Sequence, residues 1–200
     1  MSSPAIGAIP AAHGGEPEGV SSGMLGMVLF IASEIMFFTG LFGAYFFVRS
    51  QADGWPPAGF EDLEVAFPFV NTLILLLSGV TVHFAVVALR EDRRDGPSGF
   101  VFLTGLTIVL GTIFILGQAY EYSNLEFGIK DGVFASTFFV LTGFHGAHVI
   151  GGLGMLAFIF FRAINGDFSS RNHLGVEATT AYWHFVDVVW VLLFVILYLT

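Results

Sequence analysis

Thr142-Gly143-Phe144-His145-Gly146-Ala147-His148-Val149 lies at the centre of an uncharged run from Gly132 to Phe161. Such a run crosses a bilayer as one helix, with a few residues to spare. Two imidazoles near its middle are costly and require a partner or a task. On a helical wheel His145, His148 and Gly152 share one face, and Gly143, Ala147, Gly151 and Gly154 share the opposite one. Small residues let a second helix approach closely, whereas imidazoles need hydrogen-bond partners or water. With both faces specialised, this helix is expected inside an assembly.

Four more apolar stretches surround it, at about 23–48, 69–89, 99–120 and 178–200. With 132–161 they predict an all-α, polytopic membrane helix bundle of five transmembrane helices, one domain over 23–200. The composition, 55% hydrophobic and 12% charged, is not that of a soluble globular protein. Residues 1–22 are rich in Ala, Gly, Ser and Pro and lack both a basic start and an apolar core. They read as a flexible N-terminal tail rather than a signal peptide. No internal repeat is visible. The absence of cysteine excludes disulfides, iron–sulfur clusters and thiolate-bound zinc or copper. A net charge of −9, carried mostly by tail and loops, argues against nucleic acid as a partner. Most of the 24 Phe suit lipid-facing and helix-packing surface.

Basic residues set the expected orientation. Arg90, Arg93, Arg94, Arg162 and Arg171 fall on the side of the N-terminus, against Arg49 and Lys130 on the other. The positive-inside rule then puts the N-terminus in the cytoplasm and the C-terminus outside. Trp55-Pro56-Pro57-Ala58-Gly59 reads as a rigid turn on the outer side, because successive prolines cannot continue a helix.

The polar residues inside the spans carry the functional question. Glu34 lies roughly 15 Å into the first helix, among Phe30, Met36, Phe37, Phe38 and Leu41. An ionised carboxylate is expensive there, so a protonated or tightly hydrogen-bonded group is expected. It serves either as a proton-relay or regulatory carboxyl or as a neutral acid bonded to a neighbouring helix or subunit. His184 and Asp187 are three residues apart and close enough to pair, either to fix the helix against a neighbour or as part of a proton or water pathway. Glu177 stands at the start of that helix, where the dipole favours an acid. Counting ligands argues against a metal. His145 and His148 are one turn apart on one helix, no carboxylate stands at zinc or di-iron spacing with them, and thiols are absent. Arg162 closes its helix at the interface, as a topology-setting charge or a clamp on a lipid phosphate.

Several motifs follow one another along the chain. They are Ser33-Glu34-Ile35-Met36-Phe37-Phe38 with Ala44-Tyr45-Phe46, Trp55-Pro56-Pro57, Asn71-Thr72 with Ser78-Gly79, and Gln118 with Glu121-Tyr122. Thr142 to Val149, Asn172-His173 with Gly175 and Glu177, and Tyr182-Trp183-His184-Phe185-Val186-Asp187-Val188-Val189-Trp190 complete the set. The ordered set spans nearly the whole chain from about residue 23, and it resembles that of subunit III of haem–copper terminal oxidases.

The resemblance implies a non-catalytic subunit of a proton-pumping oxidase that reduces O2 to water. Its partners would be oxidase subunits I and II, phospholipids and, through the complex alone, cytochrome c. No cofactor is expected on this chain; the haems and copper would sit in the partner subunits. Glu34 looks like the family's intramembrane carboxyl near subunit I. Arg162, with His148, is the candidate lipid-binding set. His145, His184, Asp187 and Tyr182 are expected as structural polar or interface residues. The expected location is the inner membrane of a bacterium. Longer family members have two further helices before the Glu-bearing one, forming one wall of a lipid cleft; five-helix forms occur in bacterial oxidases. A quinol oxidase would use the same subunit. A small proton-coupled transporter using Glu34 and His148, which predicts inverted repeats or broken helices, and a haem-binding membrane anchor are the readings of other classes.

Overall fold

The computed structural model describes residues 21–57, 60, 64–170 and 172–200. The expected tail lies outside the described residues but for Ser21 and Ser22, as do Ala58, Gly59 and Arg171. Five helices follow one another: α1 (Ser22–Ser50), α2 (Ala66–Arg90), α3 (Phe100–Asn124), α4 (Val133–Asn165) and α5 (Leu174–Phe194). A π-helical turn, Val195–Leu199, continues α5. All five are long and apolar enough to cross a membrane. The described residues contain no strand beyond a single bridge, Ser169 to Asn172.

Local chemistry sets the helix ends. Ser21 Oγ accepts the Met24 amide and caps α1. Pro68 sits in the first turn of α2, where its missing N–H is no loss. Gly166, at φ +82°, closes α4 in the left-handed conformation while its N–H donates to the Ala163 carbonyl. Arg94 donates from one guanidinium nitrogen to the Ala163 and Ile164 carbonyls, satisfying two of the acceptors that a helix end leaves open.

Helices α2 to α5 form an antiparallel ring of four, closed by contact between α2 and α5. Because lipid is as apolar as a helix surface, packing and interhelical hydrogen bonds must supply the association. Trp183 Nε1 donates to Ser78 Oγ at 3.0 Å and Trp190 Nε1 to Thr72 Oγ1 at 2.8 Å, tying α5 to α2 at two levels. Asn71 Nδ2 donates to the Phe114 carbonyl, and the hydroxyls of Thr81 and Thr107 share a bond, tying α2 to α3. Tyr122 and Thr142 join α3 to α4. Arg90 and Glu177 pair at the end where the arginines gather.

Helix α1 stands outside this ring, leaning on α5 and grazing α4. Only Phe38 and Tyr45 of its side chains are buried. Tyr45 accepts from Trp55 Nε1 and donates to the Ile196 carbonyl, so it anchors α1 to the π-helical turn. Leu25, Leu29, Met36 and Phe47 remain open, the pattern of a helix that is apolar all round and sits in lipid.

The small-residue face of α4 departs from expectation. Gly143, Ala147, Gly151 and Gly154 are exposed; among the described residues nothing lies close to Gly143 or Gly154, and only the Tyr182 hydroxyl comes near Gly151. Close approach occurs instead at Gly152, on the imidazole face, where the Trp183 ring lies against the backbone. Trp183 is large and flat and needs that room.

Candidate functional site

The strongest polar constellation joins α1 and α4. Glu34 Oε2 lies 2.8 Å from His148 Nε2, and the side chains retain 20% and 15% exposure. His148 Nδ1 is 2.7 Å from the Phe144 carbonyl, which can only accept. Nδ1 therefore carries a proton, and one further proton is shared between Nε2 and the carboxyl. With that proton on Glu34, both groups are neutral. With it on Nε2, they form a carboxylate–imidazolium pair. Sharing a proton satisfies both groups without leaving a lone charge in the membrane.

Aromatic side chains surround the pair. Phe37 stacks on the His148 ring, and Phe38 meets it edge-on at 4.9 Å. Tyr182 donates to the His148 carbonyl at 3.2 Å and stacks on Phe30, so α5 braces the junction from a third side. The expected tight hydrogen bond at Glu34 is present, and its partner comes from a histidine 114 positions away.

Helix α4 sends its two histidines into different surroundings. His145 is fully buried, stacks on Trp190 at 5.0 Å and meets Phe114 edge-on. Neither of its ring nitrogens has a hydrogen-bond partner among the described residues. His184 Nδ1 approaches Asp187 Oδ2 at 3.6 Å, a close contact but longer than a hydrogen bond. Arg162 Nε donates to Asp167 at 2.9 Å, and its guanidinium lies over the Phe168 ring at 5.0 Å. Arg162 stands in the last turn of α4, roughly 20 Å along the helix from His148. Among the described residues no three His, Asp or Glu side chains gather in a metal-holding arrangement.

The model of the family "Cytochrome c oxidase subunit III" matches residues 8–200. This chain belongs to that family. The subunit is 44% identical over 188 residues to cytochrome c oxidase subunit 3 of Synechocystis sp., covering 94% of this chain and 78% of the relative. It is 40% identical over 177 residues to that of Thermostichus vulcanus, covering 88% and 86%. It is 46% identical over 179 residues to that of Pelea capreolus, covering 86% and 67%. The subunit III chain is thus a multi-pass component of an oxidase complex.

Sequence reasoning overlooked a second buried carboxyl. The uncharged third span ends at Tyr120, but α3 continues through Asn124 and buries Glu121. Glu121 Oε1 accepts from Tyr198 at 2.6 Å, and Oε2 accepts from Gln118 Nε2 at 2.9 Å. The spacing of Gln118 and Glu121, three residues apart on one face, was the signal available. Arg94 was likewise read as a topology charge, whereas it caps α4.

Proposed function

We propose that this chain is the non-catalytic subunit III of a proton-pumping oxidase that passes electrons from cytochrome c to O2. It binds subunits I and II, carries no redox centre of its own, and supports proton uptake and the stability of subunit I. The bond between Glu34 and His148 carries this reading. A carboxyl and an imidazole sharing one proton, still partly open between α1 and α4, can take up and release that proton with little rearrangement. Cytochrome c as donor rests on the names of the relatives. A copper-site Cys/His motif in the partner subunit II agrees with cytochrome c, and its absence indicates quinol. The arginine end faces the cytoplasm of a bacterium, the C-terminus the outside.

The test compares two variants in the purified complex. Glu34→Ala removes the shared proton and leaves His148 Nε2 unpartnered. Glu34→Gln keeps a donor for neutral Nε2 but holds no titratable proton. Assembly is expected to survive both, while oxygen consumption declines faster during sustained turnover, with an altered pH profile in both. If Glu34→Gln matches wild type and only Glu34→Ala is impaired, the pair is structural and the proton role fails.

Lipid binding belongs to the same proposal. Exposed ion pairs contribute little, about 0–1 kcal/mol, so a phosphate can replace Asp167 at Arg162. Among the described residues only Nε of Arg162 is engaged, leaving donors for a bidentate bond. His148 would contact the acyl region beside Glu34. Arg162→Ala is expected to remove about one tightly held phospholipid per complex, measured by mass spectrometry of lipids retained through purification. Unchanged lipid content rules out this role for Arg162.

A further inference from the structure

Glu34 is bonded to His148, and Glu121 accepts from Tyr198 and Gln118. Asp187 differs from both. It lies roughly 20 Å into α5, is only 6% exposed, and its Oδ1 has no partner among the described residues. Its Oδ2 stands 3.6 Å from His184 Nδ1, beyond hydrogen-bond reach. The carboxyl is pressed against the backbone of α2. A side-chain carbon at Gly79 would fall on Oδ2, so the glycine makes the recess that holds it. The amides of α2 there are committed to their own helix. Ser78, beside Gly79, gives its hydroxyl proton to the Leu75 carbonyl.

A buried carboxylate is tolerated only where donors meet it, and without them burial favours the neutral acid. A neutral acid needs a single acceptor for its O–H. His184 Nδ1 is the nearest, and a small side-chain rotation closes the gap. His184 in turn is 44% exposed at the seam between α2 and α5, where His83 opens outward with its ring centroid 6.4 Å away. Carboxyl and imidazoles thus run from a buried recess to the outside of the bundle. The other titratable groups of the packed helices turn elsewhere. On α1 Glu34 is held by His148, and on α3 Glu121 is held by Tyr198. On α4 His145 stacks on Trp190, and Tyr182 of α5 turns to the His148 carbonyl.

We propose that Asp187 is a proton-holding site separate from Glu34, kept as the neutral acid at neutral pH and loaded and emptied through His184. Transfer from Asp187 Oδ2 puts the proton on His184 Nδ1 and makes a carboxylate–imidazolium pair. Nε2 then releases its own proton outward, to His83 or to water, and leaves His184 neutral in the other tautomer. The reverse path refills the acid. One proton enters and one leaves at each step, and no bond other than O–H and N–H changes. The site owes nothing to the bond between Glu34 and His148, because it faces α2 rather than α4.

Infrared spectra of the purified complex read the carbonyl band of a neutral carboxylic acid. At neutral pH the difference between wild type and Asp187→Asn is expected to contain such a band. In Asp187→Glu the band should move rather than vanish, and this variant carries the assignment where Asp187→Asn does not assemble. A carboxylate band in place of the acid band, in either comparison, overturns the proposal. The band is expected to persist in Glu34→Gln. If it disappears there it belongs to Glu34, and the Asp187 site fails while the role of Glu34 stands. In a second arm, replacement of this proton by deuterium is timed. His184→Leu removes the positioned base and is expected to slow the exchange about a hundredfold, the lower end of what such a base contributes. Exchange at the wild-type rate in His184→Leu also overturns the proposal.

Discussion

Gly152→Leu is expected to unseat Trp183 and loosen all four helices of the ring. Trp183 is fully buried, and two glycines make its seat. A side-chain carbon at Gly152 would meet the six-membered ring at 2.8 Å, and one at Gly111 would meet the same ring at 2.8 Å. These glycines belong to α4 and α3, while the indole N–H bonds Ser78 of α2. One side chain of α5 therefore holds three neighbours in register. Moving the ring aside breaks the Ser78 bond and opens contacts on every side. Overpacking a well-fitted core costs about 1–3 kcal/mol, occasionally more, and a leucine here has no flexible neighbour to displace. Gly152→Ala should fall in that range and Gly152→Leu above it. Denaturant unfolding of the purified subunit, with the yield of assembled complex, measures both. The mechanism is specific enough for a rescue. Adding Trp183→Leu to Gly152→Ala frees the space and should recover part of the loss. If the double variant is less stable than either single one, the ring and the glycine are not in conflict.

The five spans were legible because apolar runs of more than twenty residues, three of them uncharged and the others broken by Glu34 or Asp187 alone, leave few alternatives, and Phe-rich surfaces do not disguise them. Helix ends were less legible, since polar side chains that find partners extend a helix past its apolar run. Glu121 does this for α3, and α5 begins at Leu174 rather than near Ala178 for the same kind of reason: His173 and Glu177 pair across its first turn. The residues of the candidate site were each visible singly. Glu34 and His148 stood out as costly groups near the middle of their helices, and matching depth was the one clue to their partnership. Their pairing was not legible, because it depends on which helix α1 leans against. The same holds for the glycines of α4. A wheel separates small from polar faces, but only the position of Trp183 shows that Gly152 is the one approached closely.

Glu34 and Glu121 are both carboxyls within helices, yet their surroundings assign them different work. Glu34 is partly open and shares a proton with a titratable partner. Glu121 is 8% exposed, and its bonds come from a phenol and an amide, neither of which exchanges protons readily near neutral pH. The first arrangement suits proton movement. The second suits a tie, here between the end of α3 and the π-helical turn after α5.

That contrast sets the second large effect. Tyr198→Phe removes the donor to Glu121 Oε1 and keeps the ring that packs on Phe138 and Phe194. Nothing is lost in shape, so the cost is that of an acceptor left buried without a partner, about 1–3 kcal/mol and more where the group is charged. Replacing both members behaves differently. In Tyr198→Phe with Glu121→Met the acceptor is gone, and a flexible apolar chain fills its place. Gln118 then loses the acceptor for its amide, which holds back full recovery. The expected order of stability is wild type, then the double variant, then Tyr198→Phe, read from denaturant midpoints of the purified subunit. Oxygen consumption of complexes that do assemble should remain unchanged in both, unlike the Glu34 variants. If Tyr198→Phe unfolds at the wild-type midpoint, Glu121 finds another donor and the tie is not what holds α3 to the end of α5. If it lowers turnover at unchanged stability, Glu121 belongs with Glu34 among the groups proposed to move protons.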